Sequence, residues 1–166
     1  MVRVNTARFG TLNIEDDRVI SFPNGIEGVC ALKRFFLIGF ENRILWLHSI
    51  DDPELAFMAT DPFIFFPDYS FSLTDAAESI LKIENVKDIC VLTFLSFNKS
   101  TNTVQANLKE PVIINATAKK ATKIEITNKP YTTAVPLPLS AQDNFRMAHG
   151  FKDVFVKVIH RPPTTL

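Results

Sequence analysis

Apolar and polar residues alternate along much of the first two thirds of this chain, the period expected of half-buried strands. Val2-Arg3-Val4, Thr11-Leu12-Asn13-Ile14 and Arg18-Val19-Ile20-Ser21-Phe22 all follow it, and the third runs into the turn cluster Pro23-Asn24-Gly25. Glu15-Asp16-Asp17 lies between two such runs and reads as a tight hairpin, which predicts a small antiparallel unit from Thr11 to Phe22. Phe35 to Phe40 and Ile44 to Ile50 are longer apolar runs joined by Glu41-Asn42-Arg43, a second hairpin. Leu55 to Thr60 is a short strand between two Asp-Pro breaks. Further strands are expected at Cys90 to Phe97, Val104 to Leu108, Val112 to Asn115 and Thr122 to Thr127.

Helical spacing is confined to Thr74 to Leu81. There Thr74 can cap the first turn, and Ala76, Ala77, Ile80 and Leu81 share a face. No strand–helix–strand alternation is visible, so a doubly wound fold is not expected. Short strands at close spacing, with five Gly and ten Pro in the loops, predict a mainly β chain: a small antiparallel barrel-like domain with minor helix. The pattern weakens at Pro136-Leu137-Pro138. We place a β-barrel domain at 1–139 and read 140–166 as a C-terminal extension too small to be a domain. In that extension Ser140 followed by Asp143 resembles a helix start, Gly150 a stop, and Asp153 to Ile159 a strand. Trp46, Leu47, Phe57, Val91 and Phe94 lie in apolar runs too long for exposed strands and are expected to be buried.

Composition narrows the class. At 166 residues, 46% apolar and 22% charged, the chain suits one globular domain. The longest apolar run is six residues, far short of the roughly 18 that a membrane span needs, and Met1 to Gly10 has no signal-peptide centre. Cys30 and Cys90, sixty positions apart in apolar company, read as buried thiols of a reducing compartment, so the expected location is cytoplasmic and no membrane partner is expected. Eighteen basic residues balance eighteen acidic ones, which gives no general attraction to nucleic acid. The balance is not local. Residues 41–90 carry ten acids against three bases, net −7, whereas 91–137 carry two acids and six bases, net +4. An acidic half of this kind favours docking to a basic partner.

The motifs of common enzymes are absent: no G-x-G-x-x-G, P-loop, G-x-S-x-G or C-x-x-C occurs. His48, His149 and His160 have no metal-ligand spacing, and neither metal nor cofactor is expected. His48 sits in an apolar run and reads as a strand residue before it reads as a base. A cysteine–histidine pair stays open, although burial would silence either thiol. Asp51, Asp52, Glu54, Asp61 and Asp68 fit no calcium loop, and Asp-Pro pairs are common in turns and caps. The most informative stretch is Asp61-Pro62-Phe63-Ile64-Phe65-Phe66-Pro67-Asp68-Tyr69-Ser70-Phe71, five aromatics crowded around two prolines. Two readings compete for it. Either the rings are core, or a proline-limited edge strand turns every second one outward as an apolar patch rimmed with acid. On the second reading Phe63, Phe65, Phe66, Asp61 and Asp68, with Asp51, Asp52 and Glu54, form a partner-binding surface.

Several separated blocks resemble the bacterial flagellar assembly factor family, FliW. They are Phe9-Gly10-Thr11-Leu12, Ile20-Ser21-Phe22-Pro23-Asn24-Gly25-Ile26-Glu27-Gly28, and Trp46-Leu47-His48-Ser49-Ile50-Asp51-Asp52-Pro53-Glu54-Leu55-Ala56-Phe57. Asp61-Pro62 to Tyr69 and Ala106-Asn107-Leu108-Lys109-Glu110-Pro111-Val112-Ile113-Ile114-Asn115 continue the series in the right order. Val29-Cys30 stands where the family usually carries an aromatic and an acid, Ala121 where it often has Gly, and Glu110 where Ala is typical before Pro111. The resemblance implies a small, mainly β barrel-like protein with no enzymatic activity and no small-molecule substrate. It implies two partners, the RNA-binding translational regulator CsrA and flagellin, exchanged so that flagellin synthesis follows export. It also implies that CsrA is antagonised from outside its RNA surface. Competing classes are a flagellin chaperone that makes no CsrA contact, a small hydrolase or carbohydrate-binding barrel, and a direct RNA binder.

Overall fold

The computed structural model describes residues 1–39, 43–138 and 157–158. Its first element is a hairpin of β1 (Val2–Thr6) and β2 (Gly10–Ile14), paired from Val2↔Ile14 to Thr6↔Gly10. The turn is made by Gly10 at φ +72°, with the Thr6 hydroxyl donating to Gly10 O at 2.7 Å and accepting from Phe9 N at 2.9 Å. The hairpin expected around Glu15-Asp16-Asp17 does not form. Residues Asp16–Arg18 close a 3-10 turn, and the following strand, β3 (Ile20–Ser21), leaves β2 for a different sheet. Thr11 to Ile14 had a better-registered partner upstream, five residues long and one tight turn away.

The remaining strands are β4 (Arg34–Gly39), β5 (Ile44–Ser49), β6 (Ala56–Thr60), β7 (Ile89–Asn98), β8 (Thr103–Ala106), β9 (Val112–Asn115), β10 (Lys120–Lys123), β11 (Val135–Pro136) and β12 (Lys157–Val158). β3 to β7 pair in sequence order, all antiparallel. β7 is long enough to serve three neighbours. Ile89–Leu92 pairs β9, Thr93 and Phe94 pair β6, and Leu95–Asn98 pairs β8. β9 pairs β10, and β10 returns to β3 through a single register pair, Lys120↔Ser21, which is parallel. The strands therefore close into a ring, and the expected all-antiparallel order fails at this one seam. β11 extends β8, and β12 lies on β4 with Lys157↔Gly39 and Val158↔Ile38. The other features expected in 140–166 lie outside the described residues.

Strand alternation fills the ring. Phe35, Leu47, Ala59, Leu92, Ile114 and Ala121 are fully buried in one inward cluster. Each large side chain there contributes roughly 1.5–3 kcal/mol of burial. Among the described residues, the outward face is covered in three places. The β1–β2 hairpin lies over Phe36 and Ile38 of β4. The helix α2 (Asp75–Leu81), capped by the Thr74 hydroxyl accepting from Ala77 N, buries Leu81 against Val91 and Ile113. A second core around Ile44, Tyr69, Val104 and Leu108 lies between the ring and β8. Trp46, Phe57 and Phe94 are half-buried, where the pattern predicted that they would be largely buried; Leu47 and Val91 are buried as expected. Trp46 is an outward residue with Arg8 stacked 4.6 Å from its ring centre, whereas Phe57 and Phe94 point inward but stand near an end of the ring.

Strand direction gives the ring two ends. At the near end lie the β3–β4 loop (22–33), the β5–β6 turn (50–55) and the link into β9 (107–111). At the far end the 61–88 excursion leaves β6 and enters β7, and the β9–β10 turn (116–119) lies there too.

Candidate functional site

The acidic residues singled out from sequence fall into two groups that β6 keeps apart. Asp51, Asp52 and Glu54 precede it and Asp61 to Asp68 follow it, with a five-residue strand of about 17 Å between them. They do not form one surface.

The far group is not an edge strand. Residues Pro62–Phe65 form one helical turn, α1, with Pro62 at its start and Asp61 as its cap, the carboxylate accepting from Phe63 N at 2.8 Å. Proline suits a first helical turn because its missing N–H would be unpaired there anyway. Asp61 is buried, and burial pushes its carboxyl above the ordinary range against the downward pull of the Phe63 amide and the Arg43 charge. Phe63, Phe65 and Phe66 are half-buried on the second core, while Ile64 and Asp68 are exposed. Tyr69 is buried and donates to Leu108 O at 2.7 Å; burial pushes its phenol well above the usual range. The crowded rings mainly pin this excursion to β8 and its neighbours.

The near group is built differently. Ser49, fully buried at the end of β5, accepts through its hydroxyl from both Asp51 N (3.1 Å) and Asp52 N (3.0 Å). Asp52 in turn accepts from Glu54 N at 2.9 Å, and Pro53 O accepts from Ala7 N at 2.9 Å. Asp51 is bidentate with Arg34. The turn is thus held rigidly, and it delivers Leu55 and Phe57 to the ring mouth.

Phe57 is one step of an aromatic series that sequence reasoning did not assemble. Phe22 meets Phe35 edge-on at 5.1 Å, Phe35 leans on Phe57 at 6.4 Å, and Phe57 stacks on Phe94 at 4.7 Å and 10°. Lys123 Nζ stands 5.8 Å over the Phe94 ring and pairs with Glu110 at 3.7 Å. The series runs from full burial at Phe22 and Phe35 to half-burial at Phe57 and Phe94. Val29, Leu32 and Leu55 are half-buried on the same cluster. The 22–33 loop that supplies Val29 and Leu32 turns at Gly25 (φ +69°), where a Cβ would stand 2.6 Å from Cys30 O. Cys30, expected to be buried, is exposed because it stands on the solvent side of this loop, whose Val29 and Leu32 take the cluster side; Cys90 is buried inside the ring, where burial raises its thiol to about 11. The signal for the site was the inward register shared by Phe57 and Phe94, legible only once β6 and β7 are paired.

His48 lies outward on β5, buried between Phe9 and Phe36, with Nδ1 2.6 Å from Ser49 O and Nε2 without a partner among the described residues. Cys90 faces inward, so the two do not pair. Among the described residues no three His, Cys, Asp or Glu side chains converge as a metal set. No helix among them is long and apolar enough to cross a membrane.

The signature blocks explain themselves mechanically. Asn107 accepts from Glu110 N and donates to the Glu110 carboxylate, fixing the entry to β9. Asn115 donates to Leu81 O and Lys82 O at the end of α2 and accepts from Thr117 N and Ala118 N in the next turn.

The fold is a closed, mainly β ring whose near end sets a tightly hydrogen-bonded acidic turn beside half-buried aromatics. Comparison with known proteins gives its family. The family model described as FliW protein matches residues 3–137. A flagellar assembly factor FliW from Caldanaerobacter subterraneus subsp. tengcongensis is 33% identical over 139 residues, covering 82% of this chain and 93% of the relative. The Bacillus subtilis protein of the same name is 31% identical over 136 residues, covering 81% and 95%. A crystal structure of the flagellar assembly factor FliW superposes with a TM-score of 0.77 at 28% identity, over 82% of this chain and 97% of that one. The chain belongs to the FliW family of flagellar assembly factors.

Proposed function

We propose that this protein acts in the cytoplasm, without catalysis, by binding two protein partners in turn: the RNA-binding translational regulator CsrA and flagellin. Flagellin held by the protein leaves CsrA free to repress flagellin mRNA; when flagellin is exported, CsrA is captured and repression is lifted. Family membership over residues 3–137 carries this reading. The near end of the ring supports it, because an interface needs apolar anchors within a charged rim. A regulator that holds RNA phosphates must be basic, and the exposed Glu27 and Glu54 at the near end offer it complementary charge.

The test is a pull-down from motile cells with the tagged chain, scored for both partners. Recovery of CsrA and flagellin in mutually exclusive complexes is the expected result. Recovery of flagellin alone would identify a chaperone that makes no CsrA contact, and recovery of neither would end the proposal.

A further inference from the structure

The near end of the ring differs from the rest of the surface in how its charges are used. Its cations are engaged: Arg34 with Asp51, Lys123 with Glu110, Lys109 with Glu125 at 3.4 Å, and Arg8, next to the Ala7–Pro53 contact, over the Trp46 ring at 4.6 Å. Lys33 is turned back onto Pro23 O at 3.3 Å. Two exposed carboxylates there, Glu27 and Glu54, enter no ion pair among the described residues. The free charge is therefore acidic, and between it stand Val29, Leu32, Leu55, Phe57 and Phe94, apolar groups that the ring buries only in part.

We infer that this end of the ring, between the 22–33 loop and the 50–55 turn, is the docking surface for the basic partner, taking an apolar side chain of that partner against Phe57 and its flanking Lys or Arg residues against Glu27 and Glu54. The inference rests on the function proposed above and locates it. One physical feature favours this occupant over an acidic or purely apolar one, and two more favour docking at this place. Unpaired carboxylates attract cations and repel acids, so a partner segment without positive charge would leave Glu27 and Glu54 uncompensated. The Phe57–Phe94 pair has one flat face already covered by Lys123, so the pair is fixed before anything binds and little side-chain entropy is lost on docking. The turn that carries Glu54 is held by Ser49 and Asp52, so its backbone is in place before docking. The aromatic excursion at 61–71 lacks this combination, because its rings are spent on the second core and its Asp61 is spent on a cap.

Binding kinetics of the full chain to two purified probes, the CsrA-type regulator and flagellin, provide the test. The double variant Glu27→Lys/Glu54→Lys is expected to slow association with the regulator about tenfold at low salt, and the difference should fade as salt is raised. Phe57→Leu is expected to speed dissociation roughly tenfold with little change in association. Glu78→Lys/Glu84→Lys makes the same change in net charge at exposed positions on and just after α2 and should leave both rates close to wild type. Thermal melts of every variant accompany the kinetics. The charge variants sit at exposed positions, so they test the surface even if Phe57→Leu melts early. Wild-type rates in either near-end variant that retains its melt, or equal slowing by the Glu78/Glu84 pair, would overturn the location while the proposed function stands. A wild-type chain that binds flagellin but not the regulator would overturn the occupant, and one that binds neither would overturn the function as well.

Discussion

Burial and hydrogen bonding pull the Asp61 carboxyl in opposite directions, and burial wins. Its folded-state affinity for a proton thus exceeds that of the unfolded chain, so stability falls as pH rises through the carboxylate range. Asp61→Asn keeps an oxygen to accept from Phe63 N and removes the desolvated charge. Melting temperatures of both proteins from about pH 3 to about pH 7 should show the variant gaining on wild type as pH rises, because only wild type must ionise there. Asp61→Ala loses the cap and should cost about 1 kcal/mol. Gly25→Ala should cost more, roughly 2 kcal/mol or above, since a left-handed φ and the backbone carbonyl of Cys30 both oppose a Cβ; a denaturation midpoint equal to wild type would contradict this. Residue identity announced these two positions differently. Gly25 stands in a turn cluster that any reader would mark, whereas nothing about Asp61 in sequence says that its carboxylate is enclosed, since enclosure comes from elements distant in the chain.

Elements with strong local instructions form where the pattern puts them. Thr74 before the Ala76-Ala77-Ile80-Leu81 face makes α2, and the runs on either side of residues 40–43 make β4 and β5. Elements whose period is ambiguous do not. Pro62 to Phe65 reads as a strand because Phe and Ile favour strands, yet a proline at the first position and an Asp before it are helix-start chemistry. The hairpin expected around Asp16 failed for another reason: two partners were available to Thr11–Ile14, and turn chemistry at Gly10 decided between them. Burial along a strand is graded too. Phe94 sits where β7 leaves the ring for β8, so Phe94→Ala should fall short of the roughly 3–5 kcal/mol of an enclosed Phe, nearer 2, while Leu92→Ala two residues earlier should cost about 2–5. Urea titrations of the two variants give the comparison; a larger loss at Phe94 would mean that its stack on Phe57 is core.

At the scale of the whole molecule, a mainly β class was legible because short strands, scattered prolines and a single helix leave few alternatives. The assembly of the near end was not. Its parts come from residues 22–33, 50–57, 94, 110 and 123, and only the closed order of strands brings them together. The acid excess of 41–90 was real in sequence yet divided in space, because β6 sends its two halves to opposite ends.

That order of closure also sets a timetable. Each of the β4–β5, β5–β6 and β1–β2 pairs joins neighbours in the chain and can zip as soon as its turn forms. The seam between β3 and β10 joins residues about a hundred positions apart through one register pair and the bond from Ser21 N to Lys119 O. Loop-closure entropy makes such a contact late and slow to form. Opening it turns the ring into a curled sheet while every antiparallel ladder survives, so the Ser21 amide should exchange with solvent through a smaller opening than the amides of β4 and β5. Native-state hydrogen exchange in low denaturant resolves the two; equal protection would mean that the ring opens only by unfolding. During synthesis, the ring cannot close until residue 120 has left the ribosome, and until then β3 offers an unpaired edge to whatever strand is nearby.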